Sequence, residues 1–257
     1  MKNNSKNQQK NDFPLILALD TSGRKGSLAL AQGPTLLETA TFTENLKHSA
    51  NLLPAVQQLL KNHSKNPAEI AHIYISIGPG SFTGLRIATT FAKTLNLARQ
   101  TKIVTADTLD IIACNINDCR TEIKNFPARF AVVLDAKRNR FYTALFDYDP
   151  RISDDSDAMG SPTPHIERAS DNMVISSDDF LEKYADPEKT LHLLGEGLLY
   201  YKERFSAEGI DFLPEKHWYP SAAHLFRLAY PDARAGLFAD PLTLTPNYLR
   251  DPDAKPK

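Results

Sequence analysis

The chain has 257 residues, of which 42% are hydrophobic and 24% are charged. This composition allows one large core or two cores of ordinary domain size in a globular protein. The 30 Lys and Arg residues nearly balance the 31 Asp and Glu residues, giving a formal net charge of −1, which argues against tight binding of RNA or of an anionic membrane by charge alone. Only two cysteines occur, Cys114 and Cys119, so neither a disulfide framework nor a pair of zinc knuckles is available.

Residues 1–13 are polar and lack apolar periodicity, which predicts a disordered tail. This segment contains no apolar stretch of the kind that a signal peptide requires, and no apolar run reaches the ~20 residues needed to span a bilayer. We therefore expect a cytoplasmic protein that does not contact a membrane.

The first lobe is predicted over residues 14–120. LILALD, SLALAQ and TLLETATF read as three strands, and the helical spacing of leucines in KHSANLLPAVQQLLKNH predicts a helix. HIYISIG is a β-branched strand, residues 85–99 predict a second helix, and IVTAD with LDIIACNIND adds a strand and a helix. The predicted order is βββαβαβα.

The second lobe is predicted over residues 121–257. ARFAVVLDAKRNRFYTALFDYD reads as two strands around a basic turn, and an acidic, Ser- and Pro-rich segment near 150–170 predicts a flexible insertion. VISSDDFLEKYA and TLHLLGEGLLYYKERF each predict a strand and a helix, and PSAAHLFRLAY predicts a last helix. The second lobe therefore resembles a shortened repeat of the first.

A glycine loop, ISIGPGSFTGLR, joins the fourth strand to the second helix. Such a loop directs backbone N–H groups and the positive end of a helix toward one point, as phosphate-binding loops do. A P-loop would carry lysine after its last glycine, but Gly84 is followed by Leu85 and Arg86. The dinucleotide fingerprint needs glycines at relative positions one, three and six, whereas Gly78, Gly80 and Gly84 occupy one, three and seven. Both motifs are rejected.

The first strand ends in a polar turn that allows two interpretations. Asp20 is followed by Thr21 and Ser22, and Gly23 and Gly26 lie in the turn. Hydroxyls and backbone amides in this arrangement can hold a phosphate while the carboxylate handles a metal or water. The same residue types also mark ordinary hairpin turns.

Six segments in a fixed order resemble the bacterial TsaB (YeaZ) family of the tRNA threonylcarbamoyladenosine pathway, over about residues 15–250. They are LALDTSGRKGSLAL, HSANLLP, ISIGPGSFTGLRIATTFAKTL, VLDAKRNRFYTALF, GEGLLYY and PNYLR. The resemblance implies an α/β fold of two lobes, the actin, sugar-kinase and chaperone-ATPase (ASKHA) fold, with a degenerate second lobe. It also implies a non-catalytic paralogue of the catalytic subunit TsaD.

The resemblance implies that nucleotide and metal chemistry is lost. The two histidines that hold the metal of the catalytic subunit match Ala106 and Asp110, and the second phosphate loop matches Lys137–Arg140, where long side chains replace bare backbone. The turn Leu194–Gly197 matches an adenosine-binding turn and keeps its small residues. We therefore predict no catalytic residue, no metal and no cofactor in this chain, with ATP and metal on partner subunits. The predicted degenerate phosphate loop comprises Asp20, Thr21, Ser22, Gly78, Pro79, Gly80, Ser81, Thr83, Gly84 and Arg86.

The implied function is to bind TsaD and enable transfer of a threonylcarbamoyl group to N6 of adenosine 37, beside the anticodon, in ANN-decoding tRNAs. The implied partners are TsaD, the ATPase TsaE and, only through the complex, tRNA. The predicted interface lies on the first two helices and comprises His48, Leu53, Val56, Leu60, Phe82, Leu85, Ala88 and Ala92. Periodicity alone leaves open whether the two alanines face a partner or the chain's own sheet. Two alternatives also stay open: a kinase-like or peptidase-like enzyme, and a self-sufficient homodimeric scaffold that uses the same helices.

Overall fold

Two β-sheets organise the chain in the computed structural model, which describes residues 13–42, 48–119, 122–123, 126–154 and 163–249. The predicted disordered tail, apart from Phe13, lies outside these residues. The first sheet has the order β3-β2-β1-β4-β5, with β1, β4 and β5 parallel and β2 antiparallel to both of its neighbours. Its strands are β1 (Leu15–Asp20), β2 (Gly26–Gln32), β3 (Thr35–Phe42), β4 (Ile70–Ser76) and β5 (Lys102–Ala106).

The second sheet repeats this plan. Its order is β11-β10-β6-β7-β8, with β9 also pairing with β7, so its strands follow the same sequence of antiparallel and parallel pairings. The repeat predicted from the sequence is therefore visible in the topology. The strands are β6 (Arg129–Asp135), β7 (Phe141–Asp154), β8 (Thr163–Arg168), β9 (Met173–Ile175), β10 (Leu191–Leu194) and β11 (Ile210–Phe212).

Both faces of the first sheet are covered, which explains the continuous apolar run of β1. Leu15, Leu17 and Leu19 pack in one cluster with the first two helices, whereas Ile16 and Ala18 pack in another with the last helix. The helices are α1 (His48–Asn62), α2 (Phe82–Arg99), α3 (Thr108–Ala113), α4 (Ser177–Tyr184), α5 (Leu198–Tyr201) and α6 (Ala222–Arg234).

The predicted boundary between residues 14–120 and 121–257 does not match the packing. Leu109 and Ile112 of α3 belong to the core of the second sheet, together with β6. Leu225 and Phe226 of α6 lie in the core of the first sheet, against β1. Each sheet needs a helix on its second face, and the sequence pattern does not indicate which sheet a helix covers. The two lobes therefore exchange helices.

The predicted flexible insertion near 150–170 is also corrected at its ends. β7 continues to Asp154 and β8 begins at Thr163, and these two residues are partners in the antiparallel pairing. The insertion thus lengthens a hairpin; residues 155–162 lie outside the described part of the chain. Among the described residues, no helix has both the length and the apolar character needed to cross a bilayer.

Candidate functional site

The glycine loop, residues 78–84, packs against the turn that follows β1. The Ser81 N–H donates to the Ser22 carbonyl oxygen at 2.7 Å, and the Thr21 hydroxyl donates to the Gly84 carbonyl oxygen at 2.7 Å. A Cβ added at Gly84 would lie 1.7 Å from the Thr21 carbonyl oxygen, and one at Gly80 would lie 2.6 Å from that of Ser22. These two glycines are therefore required by the close approach of the chain's own backbone.

The first glycine of the loop faces the C-terminal segment. Gly78 has φ +112°, precedes Pro79 through a cis peptide bond, and would place an added Cβ 2.8 Å from the Asn247 carbonyl oxygen. The Asn247 N–H in turn donates to the Ile77 carbonyl oxygen at 2.7 Å. The side of the loop that meets this segment is therefore covered by the chain itself.

Beyond the glycines, the start of α2 is exposed. Thr83 and Arg86 are exposed, and the Arg86 guanidinium carbon lies 5.4 Å from the Phe82 ring centre. Phe82 also contacts Tyr248, with 4.9 Å between ring centres. The predicted phosphate-loop residues thus fall into two groups. The glycines pack against the chain's own backbone, whereas the side chains of Thr83 and Arg86 are exposed to solvent.

Asp20 is fully buried at the end of β1. Its carboxylate accepts the Ser22 N–H at 3.1 Å and the Ser22 hydroxyl at 2.9 Å. Burial raises the pKa of Asp20, and the hydrogen bonds from the Ser22 hydroxyl and N–H act in the opposite direction. The carboxylate that the sequence offered for metal or water chemistry is therefore engaged by Ser22 in its own turn.

A carboxylate from the second lobe enters the turn after β1. Both carboxylate oxygens of Glu196 lie within hydrogen-bonding distance of the Arg24 backbone nitrogen, at 2.9 and 3.1 Å. A Cβ added at Gly23 would lie 2.1 Å from Glu196 Oε1, so the side chain rests directly on the glycine. Burial raises the pKa of Glu196 to about 7, and the negative charge of Asp20 adds to this rise. Glu196 therefore occupies the position beside the Arg24 N–H that a bound phosphate would need.

Tight packing fixes the backbone on both sides of Glu196. Gly195 has φ +122°, and an added Cβ there would lie 2.3 Å from the Val133 carbonyl oxygen. The Gly197 N–H donates to the same oxygen at 3.0 Å. Both glycines of the predicted adenosine-binding turn are thus needed for its close packing against β6. Adenosine binding at this turn stays a prediction.

The basic turn, residues 137–140, closes on itself. Lys137, Arg138 and Asn139 all have positive φ angles, of 65°, 53° and 58°, which are uncommon for residues with side chains. The Lys137 N–H and ammonium both donate to Asp135, each at 2.7 Å. At the position predicted to match the second phosphate loop, the turn therefore carries long side chains and the ion pair between Lys137 and Asp135.

The two positions predicted to match the metal ligands of the catalytic subunit have other contacts. Ala106 ends β5, and its carbonyl oxygen accepts the Ile77 N–H at 3.0 Å. Asp110 pairs with Arg168 of the second lobe at 2.5 Å, and the same guanidinium lies 3.2 Å from Asp107. Burial raises the pKa of Asp110, and the charge of Arg168 opposes the rise. Within the described ranges, no group of three or more His, Cys, Asp or Glu side chains is arranged to hold a metal ion.

The structure contradicts most of the predicted interface. Its buried members are 4% exposed or less and pack in the chain's own core, so they offer no surface to a partner. The pattern of these residues reflects the faces of α1 and α2 that meet the first sheet. Leu53 and Phe82 are exposed, at 55% and 38%, and His48 begins α1 with its side chain outside the described part. The buried members are Val56, Leu60, Leu85, Ala88 and Ala92.

Two contacts of this site are not predicted by the sequence: that of Glu196, which the sequence places only in the predicted adenosine-binding turn, and that of Arg168. Both act over long sequence separations, Glu196 on Arg24 and Arg168 on Asp110. A signal for Glu196 was available, because a charged residue between two glycines stands out in an apolar strand-to-helix turn. No comparable pattern surrounds Arg168.

Comparison with known proteins identifies the family. The model described as "TsaD: tRNA N6-adenosine threonylcarbamoyltransferase" matches residues 42–257. The chain belongs to this family. It is similar to the "tRNA threonylcarbamoyladenosine biosynthesis protein TsaB" of Bacillus subtilis (strain 168), with 28% identity over 94% of this chain and 96% of the relative. The protein of the same name from Escherichia coli (strain K12) is 29% identical over 52% of this chain and 55% of the relative.

The fold is also that of a solved relative. The structure titled "YeaZ from Pseudomonas aeruginosa" matches with a TM-score of 0.72 and 24% identity, covering 92% of this chain and 100% of that chain. The resemblance to the TsaB (YeaZ) family is therefore confirmed, as is the prediction of a mixed α/β fold built on two sheets.

Proposed function

We propose that this chain takes part in threonylcarbamoyladenosine biosynthesis as a non-catalytic subunit that binds and enables the catalytic TsaD subunit. Support comes from the family match and from a relative of nearly equal length whose name places it in that biosynthesis. In this proposal the group is transferred to N6 of adenosine 37 in ANN-decoding tRNAs, in the cytoplasm. ATP and metal are held by the partners TsaD and TsaE, and tRNA is bound only through the complex.

The observation that carries the proposal is the position of Glu196. A nucleotide-using member of this fold needs the backbone N–H groups after β1 for phosphate, and here the Arg24 N–H is hydrogen-bonded to Glu196. A phosphate in the same place would meet two buried acids, Glu196 and Asp20. Repulsion between like charges at low dielectric makes this arrangement costly. A role that needs no phosphate chemistry of its own fits the site better than a kinase does.

The proposed docking surface is formed by exposed residues in the N-terminal halves of α1 and α2. The C-terminal end of α1 is followed by the start of β4, and α2 begins after the end of β4. Both helices therefore begin near the C-terminal end of β4. Leu53 is exposed there on α1, and Phe82 with its neighbour Tyr248 is exposed on α2. Aromatic side chains that keep one face exposed are typical anchors of protein interfaces.

Copurification with the catalytic subunit of the same organism, followed by native mass measurement, tests the proposal. We expect a complex of the two proteins. Replacing Leu53 by Arg together with Phe82 by Glu should weaken it by about tenfold or more, since few residues dominate such interfaces. Leu242, which is 89% exposed, provides the control as Leu242→Arg. A folded double variant that binds as tightly as the wild type would remove these two residues from the interface, and failure of the wild type to bind would contradict the proposed function.

The native mass measurement and a titration with ATP and magnesium separate the alternatives. A homodimeric scaffold would give a stable dimer mass that the catalytic subunit does not dissociate. A kinase-like enzyme would bind ATP with magnesium in the low micromolar range, whereas we expect a dissociation constant on the order of 0.1 mM or weaker. The near-neutral charge predicts no specific tRNA binding by this chain alone.

A further inference from the structure

The turn after β1, residues 21–25, is held from two sides. On one side, Ser22 accepts the Ser81 N–H and Thr21 donates to Gly84, which joins the turn to the beginning of α2. On the other side, the Arg24 N–H is bound by Glu196 of the second lobe. The turn is therefore a physical link between the second lobe and α2.

Two aromatic residues from the second half of the chain, Tyr200 and Tyr219, also contact this turn. The Arg24 guanidinium lies 4.4 Å from the Tyr200 ring centre, and its Nη1 donates to the Tyr200 hydroxyl at 3.0 Å. The Lys25 ammonium lies 3.8 Å from the Tyr219 ring centre. A cation over an aromatic face is attracted to it, so both basic side chains of the turn are directed toward residues 200–219.

Glu196 differs from these contacts in its burial. Tyr200 is 67% exposed, whereas Glu196 is 8% exposed and stands on a turn that its two flanking glycines seat on β6. A buried carboxyl group held this rigidly can accept the Arg24 backbone N–H whether or not it is ionised. It also fills the space over Gly23 that any other anion would have to enter.

We propose that Glu196 is a positioning residue that latches the second lobe onto the 21–25 turn, excludes phosphate-type oxyanions from the turn's amides and, through Ser22, fixes the first turn of α2. The carboxylate acts as an internal substitute for the oxyanion. Withdrawing it frees the Arg24 N–H and opens the space above Gly23, so that an external oxyanion can bind in its place.

Amide hydrogen exchange of the full chain tests the latch. In Glu196→Ala we expect exchange to accelerate by about tenfold or more in peptides from residues 20–26 and 80–90, the effect of losing a buried hydrogen bond. Peptides from β6 and β7 should keep their wild-type rates. Glu196→Gln keeps a side-chain oxygen that can accept the Arg24 N–H, so its exchange should lie between those of the wild type and Glu196→Ala. Glu182→Ala, which removes an exposed acid on α4, is the matched control and should exchange as the wild type does.

Inorganic phosphate is the probe for exclusion of oxyanions. Added phosphate should restore protection of residues 20–26 in Glu196→Ala and leave the wild type unchanged. The latch is refuted if a folded Glu196→Ala exchanges at wild-type rates in both segments, or if exchange rises equally throughout the chain. Exclusion is refuted if phosphate protects the wild type, or fails to protect Glu196→Ala. No catalytic subunit is present in these measurements, so they are independent of the proposed function.

Discussion

Replacing Glu196 by glutamine should change how the stability of the protein depends on pH. Burial raises the pKa of Glu196 from an ordinary value of 4.5 to about 7, with Asp20 adding to the rise and the Arg24 N–H and the charges of Arg24 and Lys25 opposing it. In the folded chain this carboxyl still binds a proton at a pH at which the unfolded chain has lost it. Its contribution to stability is therefore fully present below about pH 4.5 and is lost as pH rises through about 7.

The size of the effect follows from the two pKa values. Each pH unit between them contributes about 1.4 kcal/mol, so the interval from 4.5 to about 7 contributes about 3 kcal/mol. Glutamine does not titrate. The free energy of unfolding of the wild type should therefore fall by about 2 to 3 kcal/mol relative to that of Glu196→Gln between about pH 5 and pH 8.

Urea unfolding followed by circular dichroism, at several pH values across this range, measures the difference. Other titrating groups are present in both proteins, so the comparison largely isolates Glu196. Glu182→Gln, at an exposed position of α4, serves as the control, and its difference from the wild type should stay constant within about 0.5 kcal/mol. Parallel stability curves for the wild type and Glu196→Gln would refute the reasoning.

Three further predictions follow from the packing. Ala92→Arg buries a charge without a partner in the core of the first sheet, so it should lower the free energy of unfolding by more than about 4 kcal/mol in a urea titration. Gly84→Ala places a Cβ 1.7 Å from the Thr21 carbonyl oxygen, so thermal unfolding should show a loss of about 2 kcal/mol or more, and an unchanged midpoint would contradict the close approach. Arg168→Ala removes the cation that lowers the pKa of Asp110; this pKa should rise further, with a loss of about 1 kcal/mol of stability near neutral pH that shrinks on acidification.

The sequence predicted the local structure well because periodicity records which residues each element buries. The run LILALD predicted β1 as Leu15–Asp20, and the spacing of leucines predicted a helix at residues 47–63, against an observed α1 of His48–Asn62. The order of strands and helices over residues 14–120 was also correct. These features depend on residues close together in the chain.

The rest depends on contacts that periodicity does not encode. An apolar stripe looks the same whether it faces another chain or the chain's own sheet, so the predicted partner interface includes Ala88 and Ala92. The structure places both in the core. The contact of Glu196 with Arg24 spans 172 residues, and the exchange of α3 and α6 between the lobes is equally non-local. The sequence therefore indicates the turn after β1 and the glycine loop, but not the distant residues that contact them.

A reconstituted transfer reaction shows whether this chain enables the catalytic subunit. Threonylcarbamoyl-AMP, tRNA and the catalytic and ATPase partners of the same organism are incubated with and without this chain, and threonylcarbamoyladenosine in the tRNA is quantified. We expect product only when the catalytic subunit and this chain are both present, and Asp20→Asn in this chain should leave the yield unchanged. Product formed by this chain without the catalytic subunit, or product lost in Asp20→Asn while the two proteins still bind each other, would contradict the proposed function.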